Sequence, residues 1–203
     1  SHTPQNKRML CFSATMPKPI LSLAEKFMPN YKLLRVEAQD ITSDLTEQIF
    51  YEVREEDKFE VLCRTIDLAP DFYGLVFCKT KIQCDETGAL LIARGYNAEV
   101  LHGDLGQNQR ELIIHKMREH RINILVATDV AARGLDIPDL THVVNYSLPG
   151  DPETYVHRVG RTGRAGKKGL GVTFVAPGEF RKFTFLKTIS RANIKKARRN
   201  SCL

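Results

Sequence analysis

The sequence predicts an α/β protein with a mostly parallel central sheet flanked by helices. Three observations carry that prediction. Short runs of apolar, β-branched residues alternate with amphipathic stretches along most of the chain, the pattern of a parallel sheet covered on both faces. The loops after those runs, where such sheets gather binding groups, are the ones rich in Gly, Asp, Thr and Arg. The length of 203 residues, 42% of them hydrophobic, suits one sizeable domain or one domain with an appendage.

Taken in order, "RMLCFSA" (8–14) and "KLLRVE" (32–37) read as strands around an amphipathic helix, "PILSLAEKFM" (19–28). The polar stretch 38–47 has no apolar periodicity and reads as a linker. A strand at 48–53 then precedes a helix over 55–68. Strand 74–79 leads to helix 80–94, strand 98–101 to helix 106–119, and strand 122–127 to a short helix at 129–133. The strand at 141–146 runs into "PETYVHRVGRTG", and the strand at 169–176 into a last helix over 178–193. The tail "IKKARRNSCL" is basic and reads as a frayed, solvated end.

Thirty Lys and Arg against 24 Asp and Glu leave a net charge of +6, which suits a polyanionic partner or a solvated basic face. The five cysteines (11, 63, 78, 84 and 202) form no CxxC pair. They read as reduced, buried thiols in a reducing compartment, the cytoplasm first and the nucleus second. No apolar run approaches 18 residues and no leader is visible, so a soluble protein is expected.

Four stretches carry chemistry. In "YVHRVGRTGRAG" (155–166), helical spacing of about 100° per residue would return His157, Arg161 and Arg164 to nearly one face, with Arg158 beside them. Gly160, Gly163 and Gly166 are poor helix formers, each costing about 1 kcal/mol relative to Ala. Cations so close repel unless an anion sits among them, and the planar fork of Arg matches phosphate oxygens. The alternative is a basic surface helix. In "VATDVAARGLDIPD" (126–139), Thr128 and Asp129 end an apolar strand. Either they meet a backbone phosphate or they cap the next helix. Asp136 either accepts from ribose hydroxyls or starts a turn. In "LHGDLGQNQR" (101–110), Asp104 reads as an N-cap, and Gln107 and Arg110 lie at i, i+3 on a helix start suited to phosphate. In "FCKTK" (77–81), Thr80 and Lys81 either touch phosphate or begin a helix. The chain has no G-x-x-x-x-G-K-[ST] cradle and no DExD or DExH quartet after an apolar strand. It has parts for completing a nucleotide site and none for founding one.

Together these residues resemble the C-terminal half of a DEAD-box ATP-dependent RNA helicase of superfamily 2. "SAT" (13–15) is similar to motif III, "LVFCKTK" (75–81) to motif IV, and "QNQR" (107–110) to the QxxR element. "ATDVAARGLDI" (127–137) is similar to motif V and "HRVGRTGR" (157–164) to motif VI. Their order and spacing agree over nearly the whole chain.

The resemblance implies a RecA-like three-layer fold, one of a pair of domains with ATP bound in the cleft between them. It implies that residues 1–37 are the last strand, helix and strand of the first RecA-like domain, 38–47 the interdomain linker, and 48–203 the second RecA-like domain. By position, Arg161 and Arg164 would act as arginine fingers on the γ-phosphate, with His157 and Arg158 linking that site to the other domain and to the RNA side. Asp136 and Gly134 would hold the nucleotide. Thr80, Gly103, Gln107, Arg110 and Thr128 would hold RNA phosphates and sugars, and Ser13 and Thr15 would couple the domains. Mg2+ would accompany ATP on ligands from the N-terminal domain, leaving this chain alone inactive as an ATPase. The apolar stripe of 19–28 further suggests a homodimer through residues 18–36. A non-catalytic RecA-like module that binds RNA or protein is the competing expectation, and a DNA translocase a third.

Overall fold

The computed structural model describes residues 7–12, 18–28, 30–34, 45–163 and 166–197. Ser13, Thr15 and Arg164 lie outside the described residues, as does most of the linker. Residues 1–39 and 40–203 form two compact units.

In the first unit, helix α1 (Lys18–Phe27) forms where an apolar stripe recurs at helical spacing. Leu23 and Phe27, at i, i+4, remain exposed. The strands expected at 8–14 and 32–37 are not formed among the described residues there (8–12 and 32–34). An isolated extended segment has no ladder to satisfy its backbone, so β-like composition alone does not make a strand.

The second unit is built on a seven-stranded, all-parallel sheet: β1 (Thr46–Glu52), β2 (Gly74–Cys78), β3 (Ala98–Leu101), β4 (Ile124–Thr128), β5 (His142–Asn145), β6 (Gly169–Val175) and β7 (Ile194–Lys196), in the order β3-β4-β2-β5-β6-β1-β7. Strand pleating turns alternate residues to opposite faces. Val76, Cys78, Val126 and Val144 thus pack with Leu62 of α2 (Lys58–Asp67) and Cys84 and Leu91 of α3 (Lys81–Ala93). Their neighbours Leu75, Phe77, Leu125 and Val143 pack with Ile113 and Met117 of α4 (Gln107–Arg118) and with α5 (Asp129–Ala132). At the β1 end, Phe50, Val175 and Ile194 are covered by α6 (Pro152–Val159) and α7 (Phe180–Ser190). Helices therefore cover both faces, giving three layers.

Three expectations need correction. The tail is not frayed from its start: Ile194 is buried and β7 pairs with β1, Gln48 opposite Ile194. Three residues, two of them lysines, carry no periodicity, but a buried Ile and an open sheet edge suffice. The arginine segment is helical only to Val159, because Gly160 caps α6, so Arg161 does not share a helix face with His157. Cys63, Cys78 and Cys84 are buried thiols as expected, whereas Cys11 is exposed.

Candidate functional site

Because every strand runs the same way, the segments after β2, β3 and β4 emerge together at the carboxyl end of the sheet. Thr80, Gly103, Gln107 and Thr128 gather there, close to the ends of adjacent strands. Thr80 caps α3, its Oγ1 accepting from the Gln83 backbone N–H at 3.1 Å. Gly103 and Gln107 are exposed, and the Gln107 amide donates to Glu111 at 2.7 Å. Thr128 stands at the N-cap of α5 without a side-chain capping bond.

Asp104 is not the cap of α4; Gly106 holds that position, and the Asp104 carboxylate accepts from Lys81 Nζ at 2.6 Å instead. That ion pair holds the Asp104 carboxyl below its ordinary range. The Arg110 guanidinium donates to the carbonyls of Ala131 and Arg133, so it also braces the loop after α5.

The arginine segment begins at Asp151, whose Oδ1 accepts from the Thr154 N–H at 2.8 Å, with Pro152 pre-set for the first turn. Burial alone would raise the Asp151 carboxyl, but the Thr154 N–H and hydroxyl hold it below its usual value. Arg158, on the inner side of α6, has only 2% of its side chain exposed. Its Nε and Nη2 donate to the two carboxylate oxygens of Asp129 at 2.6 and 2.8 Å. Its Nη1 donates to Asn145 Oδ1 at 2.9 Å and to the Ser147 carbonyl at 2.7 Å. The guanidinium lies 4.9 Å from the Phe77 ring centroid. A weakly hydrated, planar cation tolerates such burial when its donors are matched. Arg158 thus ties α6 to the ends of β4 and β5 and is spent inside the domain.

Arg161 lies beyond the helix. Half-buried, it donates Nη1 to the Leu135 carbonyl at 2.6 Å. That bond sets it against the Gly134–Asp136 loop, where Gly134 takes φ +72°, a conformation that favours glycine. Asp136 is exposed, and its carbonyl accepts from Arg118 at 2.8 Å. Asp129, Arg133, Thr154, His157 and Arg161 border one hollow of about 50 Å³. Past it, the Thr162 hydroxyl bonds the Leu140 carbonyl, and a side chain at Gly169 would meet Thr162 Oγ1 at 2.2 Å. The segment's end is therefore packed against the start of β6, away from the carboxyl end where Thr80 and Thr128 sit.

This arrangement can be set beside known proteins. The model for the helicase conserved C-terminal domain matches residues 57–166. This chain belongs to that family. It is 51% identical over 176 residues to the ATP-dependent RNA helicase CshA of Listeria monocytogenes, covering 87% of this chain and 34% of the relative. The chain spans about a third of the length of such curated relatives. The DEAD-box protein Dbp5 of S. cerevisiae, solved with RNA and ADP BeF3, superposes with a TM-score of 0.86 at 32% identity. That match covers 96% of this chain and 52% of Dbp5. The isolated C-terminal domain of Dbp5 matches at 34% identity and a TM-score of 0.70, with 75% of this chain and 90% of that domain covered. The fold is accordingly the RecA-like one of DEAD-box C-terminal domains. No helix among the described residues is long and apolar enough to cross a membrane.

Of the residues named from the sequence, Thr80, Gly103, Gln107 and Thr128 lie at the carboxyl end of the sheet. Arg158 is buried against the ends of β4 and β5, and His157 and Arg161 border the hollow near the Gly134–Asp136 loop. Sequence reasoning missed Gln83, Asn145 and Ser147, whose polar atoms bind the pieces together. The one signal available was a polar Asn-x-Ser at the end of an apolar strand.

Proposed function

We propose that this chain is the C-terminal half of an ATP-dependent RNA helicase that grips the RNA backbone and senses the terminal phosphate of ATP. The observation that carries this reading is Arg161: a permanent cation held against the Gly134–Asp136 loop and bordering a hollow with Arg133 and His157. Arg161, with Arg164, serves as the arginine finger, offering positive charge to the transferred phosphoryl group. Asp136 and Gly134 face the ribose side. His157 carries the link to the preceding RecA-like domain, as do Ser13 and Thr15, while Arg158 acts as a positioning residue.

Thr80, Gly103, Gln107 and Thr128 hold RNA phosphates and sugars, with Arg110 bracing the loop beside them. Backbone gripping brings little sequence preference and a salt dependence set by the few phosphates held. Among the described residues no group of three or more His, Cys, Asp or Glu stands ready for a metal. On this reading the Mg2+ ligands belong to the preceding domain, of which residues 1–37 are the end and 38–47 the linker. Mg2+ would neutralise phosphate charge there. The protein works in the cytoplasm.

Arginine fingers are worth about 10³–10⁵ in rate. In the full-length protein, Arg161→Ala should lower RNA-stimulated ATP turnover at least about a hundredfold with RNA binding retained, and this chain alone should show none. Unchanged turnover in the variant would sink the assignment.

A further inference from the structure

The polar links at the carboxyl end of the sheet form one continuous chain. The side-chain oxygen of Gln83 accepts from the Lys79 backbone N–H at 3.0 Å and from the Ser147 hydroxyl at 2.5 Å. The carbonyl of the same Ser147 accepts from Arg158 Nη1 at 2.7 Å, and its N–H donates to the Phe77 carbonyl at 3.1 Å. Thr80, one step from Lys79, is tied to Gln83 in turn through its hydroxyl. Gln83 and Ser147 are 64 residues apart and lie on different elements.

The side chain of Gln83 is not needed to start α3, because Thr80 already caps that helix. Its oxygen instead satisfies a backbone donor just past β2, where the ladder has ended, and a hydroxyl on the segment after β5. An acceptor that takes two donors from separate segments fixes their spacing. Ser147 is the hinge of the arrangement: its hydroxyl faces the RNA-side turn and its carbonyl faces the arginine segment.

We propose that Gln83 is a positioning residue, joining the Lys79–Thr80 turn that meets RNA to the Ser147 peptide that Arg158 holds. It rests on the helicase reading above and adds a residue outside the matched motif positions. With Gln83 in place, the turn does not shift unless the Ser147 hydroxyl follows it. Without it, the Lys79 N–H and the Ser147 hydroxyl both lose their acceptor. The turn keeps the Thr80 cap and the Ser147–Phe77 backbone bond, and RNA must order it further on binding.

The test uses the full-length protein carrying Gln83→Met, which keeps the side-chain length and removes the acceptor. ATP turnover is titrated with polyuridylic acid. The RNA concentration for half-maximal stimulation should rise about tenfold, the scale of one or two lost hydrogen bonds, while RNA-free turnover stays within about twofold. Ser147→Ala, which removes only the Ser147–Gln83 bond and leaves the Lys79 N–H its acceptor, should raise it by less. The double variant should be no worse than Gln83→Met alone, since the Ser147 link is already lost there. A half-saturation equal to that of the unmodified protein, additive effects, or a parallel fall in RNA-free turnover would overturn the proposal and leave the helicase reading standing. An unmodified protein whose turnover does not respond to RNA would remove the helicase reading, and the proposal with it.

Discussion

Arg158 and Arg161 sit three residues apart in one motif and live in different surroundings. Arg158 faces inward from α6 with four of its five N–H groups matched to Asp129, Asn145 and Ser147. Arg161, one turn later and beyond the helix, is half-buried beside an open hollow. The same side chain is a buried tie between elements in one place and a half-buried cation bordering a hollow in the other. What separates them is the stop at Gly160, which directs the first arginine into the domain and carries the second past it. Identity of residue type within a motif therefore does not imply identity of role.

The largest expected effect comes from breaking the inward member of the pair. Arg158→Ala leaves the Asp129 carboxylate without its cation and Asn145 Oδ1 without its donor. Because Asp129 keeps 31% of its side chain exposed, the cost falls near the low end of the about 3–5 kcal/mol lost when a buried ion pair is broken. Chemical denaturation should show a loss of that size, whereas Arg161→Ala should unfold close to the unmodified protein. A stable Arg158→Ala would erase the distinction.

A smaller effect comes from the far end of the sheet, where burial favours the neutral form of His142. It stacks on Phe72 at 4.7 Å and meets the Thr141 hydroxyl at 2.6 Å. Burial lowers its pKa from the ordinary 6.5, with the Asp71 charge pulling weakly the other way. Folding therefore favours the neutral ring. Its stabilisation is complete above the unfolded value near 6.5 and is lost as pH falls through the folded one. Unfolding midpoints taken between pH 7.5 and 5 (roughly the span around an unperturbed His) should fall less steeply in His142→Gln. An unchanged slope would show that the ring plays no part.

The smallest effect is expected at the surface. Lys81 and Asp104 are paired at 2.6 Å yet both exposed, and such pairs contribute little. Lys81→Ala should leave the unfolding midpoint unchanged, while weakening RNA binding and flattening its salt dependence. A clear loss of stability would mean that this pair is structural after all.

The buried strands were legible because they had no alternative. "GLVFC", "ILVAT" and "HVVN" are apolar and β-branched, and each sits between helices that cover both its faces. The strand "IKK" was not, because its place depends on an open edge beside β1 rather than on its own pattern. The burial of Arg158 was equally hidden. Nothing local marks it, and its partners lie 11 to 29 residues away. The end of α6 was legible in Gly160, but helical spacing had been carried across that glycine to align Arg161 with His157. Asp104 failed for a related reason: a cap was read from residue type, while Lys81, 23 residues distant, offered the carboxylate a better partner.

The place of β1 bears on how this unit is made in the cell. The first strand of the unit lies between β6 and β7, so both of its neighbours come from the far end of the unit. Ribosomes add about 5–20 residues per second. The roughly 120 residues between Thr46 and Gly169 thus leave β1 without a mate for about 6–25 s after it is synthesised. The strands β2 to β5 find partners among themselves well before that. The unit closes from its middle outward, and its earliest strand is the one that waits.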